Sequence, residues 1–414
     1  LLYTIFTVNS ILPLINTPYL ARTLGPSSFG LLAFFQSMAN IIIIVIEFGF
    51  GFSATRALTR EGHQPVFRSQ ALQQVFTAKL LIAIAVIVSS LFVLGRVPVL
   101  QKHPLLLGCA LASGVLGGFN LNWYFQGIGR LTLQAMIETS ARMMAVALIF
   151  SFVRSKEDAG LVLAINSTAA LFSLSSGLIV ASRDTRLPAL NFQGGLDAIK
   201  TSWPLFLYRA AMSICTAGNG IILGFFSSQV SVAYYAGAEK IIRGLTSISQ
   251  PLSQLLYANV NKSMNLGIFE AKKMLKRGAS ILIPCTLSMS VFVFAFSHKI
   301  IAIFLGDKFE PSVHVIRVLA ILPTIAAITL LLGVQWMVPL GLERMFTKIM
   351  VYTSLLNAVL AALLAVKFGE IGVSWAVVIS ELFAVVLCSI ALTNQNLHPL
   401  WFKTQLTASN RNAP

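Results

Sequence analysis

Acidic side chains are scarce in this chain: fourteen Asp and Glu stand against thirty Lys and Arg in 414 residues, a formal charge of +16. Charged residues of either sign make only 11% of the sequence, while 56% is hydrophobic and the mean hydropathy is +0.81. No polar stretch is long enough to fold as a soluble domain. That excludes a mechanism needing a separate nucleotide-binding or glycosyl-transferring domain and leaves catalysis only at a membrane-embedded site. No Walker A loop, His-x-x-Glu-His or paired-cysteine motif occurs, so no cofactor is implied. The four cysteines, Cys109, Cys215, Cys285 and Cys388, fall in apolar segments without metal-ligand spacing. They read as buried thiols that pack like small hydrophobes, and no metal site is expected. No signal peptide is evident; the chain opens on Leu1 inside an apolar run, so its natural start is expected upstream.

What the chain does have is apolar segments of membrane-crossing length, ~20 residues each. Twelve are read, at 1–20, 29–52, 75–95, 105–126, 131–153, 159–181, 203–226, 230–258, 279–305, 314–338, 346–367 and 371–393. The expected fold is an all-α integral membrane protein of about twelve transmembrane helices. Loops after even-numbered segments, with the C-terminal tail, hold sixteen Lys and Arg, among them Arg56, Arg130, Arg186, Lys403 and Arg411; loops after odd-numbered segments, Arg96 among their bases, hold nine. Positive charge collects on the cytoplasmic side, so both termini are expected in the cytoplasm. The basic run Lys272 to Arg277 fits a loop meeting anionic lipid headgroups, and no nucleic-acid partner is expected.

The halves echo one another. Gly30-Leu-Leu-Ala-Phe-Phe-Gln-Ser37 aligns with Val232-Ala-Tyr-Tyr-Ala-Gly-Ala-Glu239 at a shift of 202, and Val66-Phe67 with Ile268-Phe269 at the same shift. Two six-helix lobes are therefore expected, 1–190 and 191–414, around a central cavity; parallel repeats of this kind place transport sites near the midplane at their interface. Helix breakers stand in corresponding segments, Pro13 and Pro18 in the first and Gly218-Asn219-Gly220 with Gly224 in the seventh. They are read as candidate gates, against the plain alternative that Gly and Pro are common in membrane helices.

Several bases lie inside the apolar segments: Arg142, Arg209, Lys240 and Arg243. A charge in hydrocarbon costs about 2.5–3.5 kcal/mol even on the lenient insertion scale, so such residues mark pathways. A cationic interior points to an anionic substrate. Lys240 lies about ten residues into its segment, roughly 15 Å at 1.5 Å per residue. Glu239 precedes Arg243 by four, the favourable ion-pair spacing, which leaves Lys240 as the free cation if that pair forms. Arg142 has Glu138 one turn before it and is read as a structural pair. Arg209 has no acid at helical spacing and either snorkels to headgroups or faces the cavity. Among the acids, Glu47 and Glu381 have no local partner. A buried carboxyl of that kind can exchange a proton, so both are candidates for proton coupling, against the alternative of a bond to a neighbouring helix.

The segment Pro18-Tyr-Leu-Ala-Arg22-Thr-Leu-Gly25-Pro26-Ser-Ser-Phe29-Gly30, followed by Phe48-Gly49-Phe-Gly-Phe-Ser53-Ala54-Thr55-Arg56, resembles the opening of bacterial Wzx-type polysaccharide and O-antigen flippases, members of the multidrug/oligosaccharidyl-lipid/polysaccharide flippase superfamily. Asn122-Trp123-Tyr-Phe-Gln126-Gly127 and Tyr234-Tyr-Ala-Gly-Ala-Glu239-Lys240-Ile241 add to the resemblance, with Val232 and Ala233 standing where the family carries glycine. The resemblance implies translocation of undecaprenyl-diphosphate-linked oligosaccharide across the inner membrane by alternating access. Its partners would be that lipid-linked substrate, membrane lipids and other polysaccharide-assembly proteins. Arg22 and Arg56 end the first two segments, where the plain reading of each is an interfacial anchor; the resemblance lifts Arg22 as a cavity residue, and Arg56 stands at the expected cytoplasmic mouth. The expected substrate contacts are thus Arg22, Arg56, Arg209, Lys240 and Arg243. An ion-coupled multidrug exporter on the same fold is the alternative; it would need unpaired acids in the cavity, and no Asp lies in an apolar segment. A polysaccharide polymerase would need a large external loop, and the longest one, about 96–104, is short.

Overall fold

The computed structural model describes residues 2–61, 64–94, 97–183, 185 and 190–399, and every regular element among them is helical. Arg96, Arg186, Lys403, Arg411 and the side chain of Cys215 lie outside the described residues. The first half holds α1 (Leu2–Glu47), α2 (Phe50–Glu61), α3 (Pro65–Leu94), α4 (Pro98–Lys102), α5 (Pro104–Gly118), α6 (Asn122–Gly127), α7 (Leu131–Phe152) and α8 (Ala159–Ser182). The second holds α9 (Phe192–Phe226), α10 (Gln229–Ile248), α11 (Gln250–Met264), α12 (Ile268–Ala295), α13 (Ser297–Phe304), α14 (Ser312–Leu319), α15 (Leu322–Leu332) and α16 (Glu343–Asn394).

Two of these helices contain a reversal. Gly25 adopts φ 70°, ψ 172° inside α1, a conformation that glycine reaches without the Cβ penalty. Asn16 and Gln36 consequently line one cavity, although a straight helix would part them by about 30 Å. Gly369, at φ 55°, does the same in α16, where the Asn357 amide donates to Ser380 Oγ across the turn at 3.1 Å. Among the described residues, eight helical stretches are long and apolar enough to cross a membrane, and two of them, Leu12–Glu61 and Glu343–Asn394, contain these reversals. With α9 and the α10–α11 pair they make up the expected twelve passes. Val359, Leu363 and Val366 stand exposed along α16, as a lipid-facing surface requires. The chain is a multi-pass membrane protein.

Close packing comes from small residues, since lipid supplies no hydrophobic drive between helices. Gly114 and Gly118 of α5 receive the ridge Ile42 and Ile46 of α1; a Cβ on either glycine would lie 2.7 or 2.6 Å from it. The seventh segment behaves the same way. α9 runs unbroken, Gly220 faces Ser37, and Gly224 lies directly on the Phe34 ring. These glycines admit a neighbour and do not bend the helix, and the backbone at Pro13 and Pro18 stays helical. The bends fall elsewhere, at Phe48–Gly49 between α1 and α2 and at Ser249 between α10 and α11. By the 202-residue shift these two breaks occupy matching places. Cys285 is exposed and not buried, because it lies on the outer side of α12; Cys388 is buried and Cys109 intermediate.

Candidate functional site

Elements from the two halves meet at two levels. At the Gly25 end, Phe29 packs edge-on against Phe309 at 5.6 Å, and Gly30 abuts the backbone of Gln229. Arg22 belongs to this contact. Its Nη2 donates to the carbonyls of Ile303 and Ala302, at 2.5 and 3.4 Å, at the C-terminal end of α13, where the helix dipole favours a cation. At the opposite end the Phe48 ring stacks on Phe206 at 4.3 Å, and the Ser53 and Ser202 hydroxyls lie 2.8 Å apart.

Between these levels lies a cavity of about 440 Å³ walled by α1, α7, α8 and α10. Its bases are Arg142, Lys240 and Arg243, and its polar side chains include Asn9, Asn16, Gln36 and Asn166. Lys240 is held by Gln36 Oε1 at 3.1 Å and stands 5.3 Å from the centre of the Phe29 ring, a cation–π distance. Neither partner neutralises its charge. Arg243 does have an anion: its Nε and Nη2 donate to Glu239 Oε1 at 3.0 and 2.7 Å. Glu239 in turn accepts from the Tyr235 hydroxyl at 3.4 Å.

The expected Arg142–Glu138 pair does not form. Glu138 accepts instead from Asn122 Nδ2 at 2.7 Å, and no carboxylate among the described residues lies within 4.0 Å of the Arg142 guanidinium. A donor one segment away won over the residue one turn away. Arg142 therefore joins Lys240 as a cavity cation without a counter-ion.

A second chamber, of about 270 Å³, lies at the Phe48–Phe206 end. Here Arg209 Nη2 meets Glu47 Oε2 at 2.6 Å, and the other oxygen, Oε1, accepts from Asn120 Nδ2 at 2.6 Å. Glu47 is therefore not the partnerless carboxyl that its sequence neighbourhood suggests. Its partners come from α9 and from the α5–α6 junction, beyond the reach of helical spacing. Beside them is Lys79, 2% exposed, whose Nζ donates to the carbonyls of Gly118 and Asn120 at 2.8 and 3.0 Å.

The structure thus brings Lys240, Arg243 and Arg142 to one cavity and Arg209 with Glu47 to another. Arg22 reaches neither, and Arg56 lies on the exposed face of α2, lining neither. Glu381 faces a third space of about 280 Å³, on the other side of Arg243. Sequence reasoning passed over Lys79, Gln36 and the asparagines. Lys79 could have been found by the rule used for the other bases, as a lone Lys within Val75-Phe-Thr-Ala-Lys79-Leu-Leu-Ile. The amides carry no such signal.

Residues 1–257 match the family described as "Polysaccharide biosynthesis protein". The chain is 25% identical over 395 residues to a "Putative O-antigen transporter" of Escherichia coli (strain K12), covering 94% of each chain. It is similar in structure to the lipid II flippase MurJ in an inward closed conformation, with a TM-score of 0.76, 16% identity, and 95% of this chain and 87% of that chain covered. It is also similar to a multidrug resistance MATE family transporter of the MOP superfamily in an inward-facing conformation, with a TM-score of 0.69, 15% identity, and 93% and 94% covered. At these identities the structural likeness establishes the fold.

Proposed function

The chain belongs to the polysaccharide biosynthesis protein family, and we propose that it is a flippase for undecaprenyl-diphosphate-linked oligosaccharide. In this reading it carries the sugar unit from the inner to the outer leaflet of the bacterial cytoplasmic membrane. Two lobes, 1–190 and 191–414, alternate access to the cavity between them, with both termini in the cytoplasm. The observation that carries the reading is the cavity itself, where Lys240 is held by the Gln36 amide and the Phe29 ring, and no carboxylate among the described residues lies within 4.0 Å of Lys240 or Arg142. Cations without counter-ions in a poorly screened space attract anions strongly. Arg can grip phosphate oxygens with two parallel hydrogen bonds. The carboxamides of Asn9, Asn16 and Asn166 suit sugar hydroxyls, and the lipid tail can remain in the bilayer.

The roles of the remaining candidates follow from their neighbours. Arg243 is an anion contact once Glu239 yields it. Arg56, on the open face of α2, guides the headgroup at the mouth. Arg22 holds the Gly25 end together until the lobes rock. Glu381 is the acid best placed for coupling, since Glu47 is held by Arg209. Export of a cationic drug would require free carboxylates in the cavity, whereas Glu239, the acid beside its Arg243, holds that arginine.

The test is complementation of a flippase-deficient strain. The wild-type chain should restore surface polysaccharide, and Lys240→Ala should leave lipid-linked sugar accumulating in the cytoplasmic leaflet. Full restoration by Lys240→Ala, with normal membrane insertion, would remove the cavity from the mechanism.

A further inference from the structure

The 270 Å³ chamber has the makings of a second anion site that is already filled from within. Both oxygens of Glu47 are gripped, one by the Arg209 guanidinium and one by the Asn120 amide, each at 2.6 Å. The guanidinium is itself oriented. Its Nη1 lies against Gly51, where a Cβ would sit 3.2 Å away, and its Cζ stands 5.9 Å from the centre of the Phe52 ring. Lys79, almost wholly buried, anchors the backbone on either side of Phe119 through the Gly118 and Asn120 carbonyls. No carboxylate among the described residues is within 4.0 Å of its Nζ. Two cations therefore face one carboxylate, and the chamber retains a positive surplus.

One arginine fork, one amide donor and one buried lysine, from three separate segments, form a cradle for an oxyanion, and a carboxylate or a phosphate can present the arginine with the same bidentate geometry. The chamber holds roughly nine water volumes of ~30 Å³ each, so it has room for more than a carboxylate. We propose that the Arg209–Asn120–Lys79 cradle receives a diphosphate-bearing headgroup, and that Glu47 is the stand-in anion that occupies it between transport events. Resting on the flippase reading above, this gives Glu47 two jobs. Its carboxylate ties the first half of the chain to α9 beside the Phe48–Phe206 stack. An arriving diphosphate, with more charge and more acceptor oxygens, takes over Arg209, and in doing so it releases that tie. Arrival of the substrate and loosening of this end of the molecule are then one event.

A plain interlobe ion pair predicts something different: removing either partner would loosen the contact, and neither removal would create an anion site. Titration calorimetry on the detergent-purified full chain separates the two, with inorganic pyrophosphate and farnesyl diphosphate as probes. Glu47→Ala should bind pyrophosphate about tenfold more tightly than wild type, and Glu47→Gln, which keeps the side chain's size, should show a smaller gain. Adding Arg209→Gln to Glu47→Ala should abolish the gain. Tighter binding of farnesyl diphosphate than of pyrophosphate would identify a lipid headgroup as the source, and equal binding would show that the diphosphate alone is read; both support the cradle. No gain in either Glu47 variant, or a gain that survives Arg209→Gln, would overturn it. If that happens while Lys240→Ala still fails to complement, this inference falls and the flippase reading stands; if the wild-type chain itself fails to complement a flippase-deficient strain, the flippase reading falls and this inference falls with it.

Discussion

The central cavity and the chamber beside Phe48 both concentrate positive charge, yet they treat it in opposite ways. In the cavity, Lys240 is positioned by Gln36 and the Phe29 ring, and no carboxylate among the described residues lies within 4.0 Å of it or of Arg142. In the chamber, Arg209 is answered at 2.6 Å by Glu47, which also spans the two halves. The lesson is that a buried base acquires its role from what stands opposite it. An unanswered cation is available to a substrate. An answered one joins helices, and becomes available only when its partner is displaced.

Locking the chamber end shut should have the largest effect. Ser53→Cys with Ser202→Cys, at hydroxyls 2.8 Å apart, should form a disulfide in oxidised membrane vesicles and block transport completely, with recovery on reduction; unimpaired transport in the cross-linked protein would deny that this end moves. Next in size, Lys240→Ala should reduce flipping at least a hundredfold, about 2.7 kcal/mol of lost anion interaction, while Lys240→Arg keeps part of it. Surface polysaccharide in a complemented strain reads this out. Arg142→Ala should cost about tenfold by the same measure, and Glu138→Gln much less, because Glu138 serves Asn122 and not Arg142. Gly224→Ala tests the packing beneath both regions: its Cβ would enter the Phe34 ring, and overpacking of this kind costs about 1–3 kcal/mol, visible as a lowered melting temperature in detergent. Arg56→Ala should have the smallest effect, confined to the salt dependence of uptake, since guidance by an exposed charge is screened over about 8–10 Å at physiological ionic strength.

Much of the architecture was legible because hydropathy and glycine are local signals. The apolar segments correspond to helical passes, and the gaps read at 21–28 and 368–370 hold the turns at Gly25 and Gly369. The Glu239–Arg243 pair was legible for the same reason, lying one turn apart on one helix. The Glu47–Arg209 pair was not, because its partners are far apart in the chain and meet only when α1 and α9 pack. Glu138 shows the reverse failure, where a partner at ideal spacing lost to Asn122. Arg22 followed a resemblance into the cavity, but the carbonyl ends of α13 hold it at the Gly25 end. Of the two readings of Pro13, Pro18 and the α9 glycines, the helical backbone and the close contacts of Gly220 and Gly224 favour the packing one.

The claim that unanswered cations in the central cavity recognise a lipid-linked diphosphate is tested most directly by a flipping assay in proteoliposomes. Purified chain would be reconstituted with a fluorescent polyprenyl-diphosphate oligosaccharide, and appearance of the sugar in the opposite leaflet followed by accessibility to an added quencher. The account predicts transfer by wild type, its loss in Lys240→Ala and partial recovery in Lys240→Arg. Equal transfer by wild type and Lys240→Ala would contradict it.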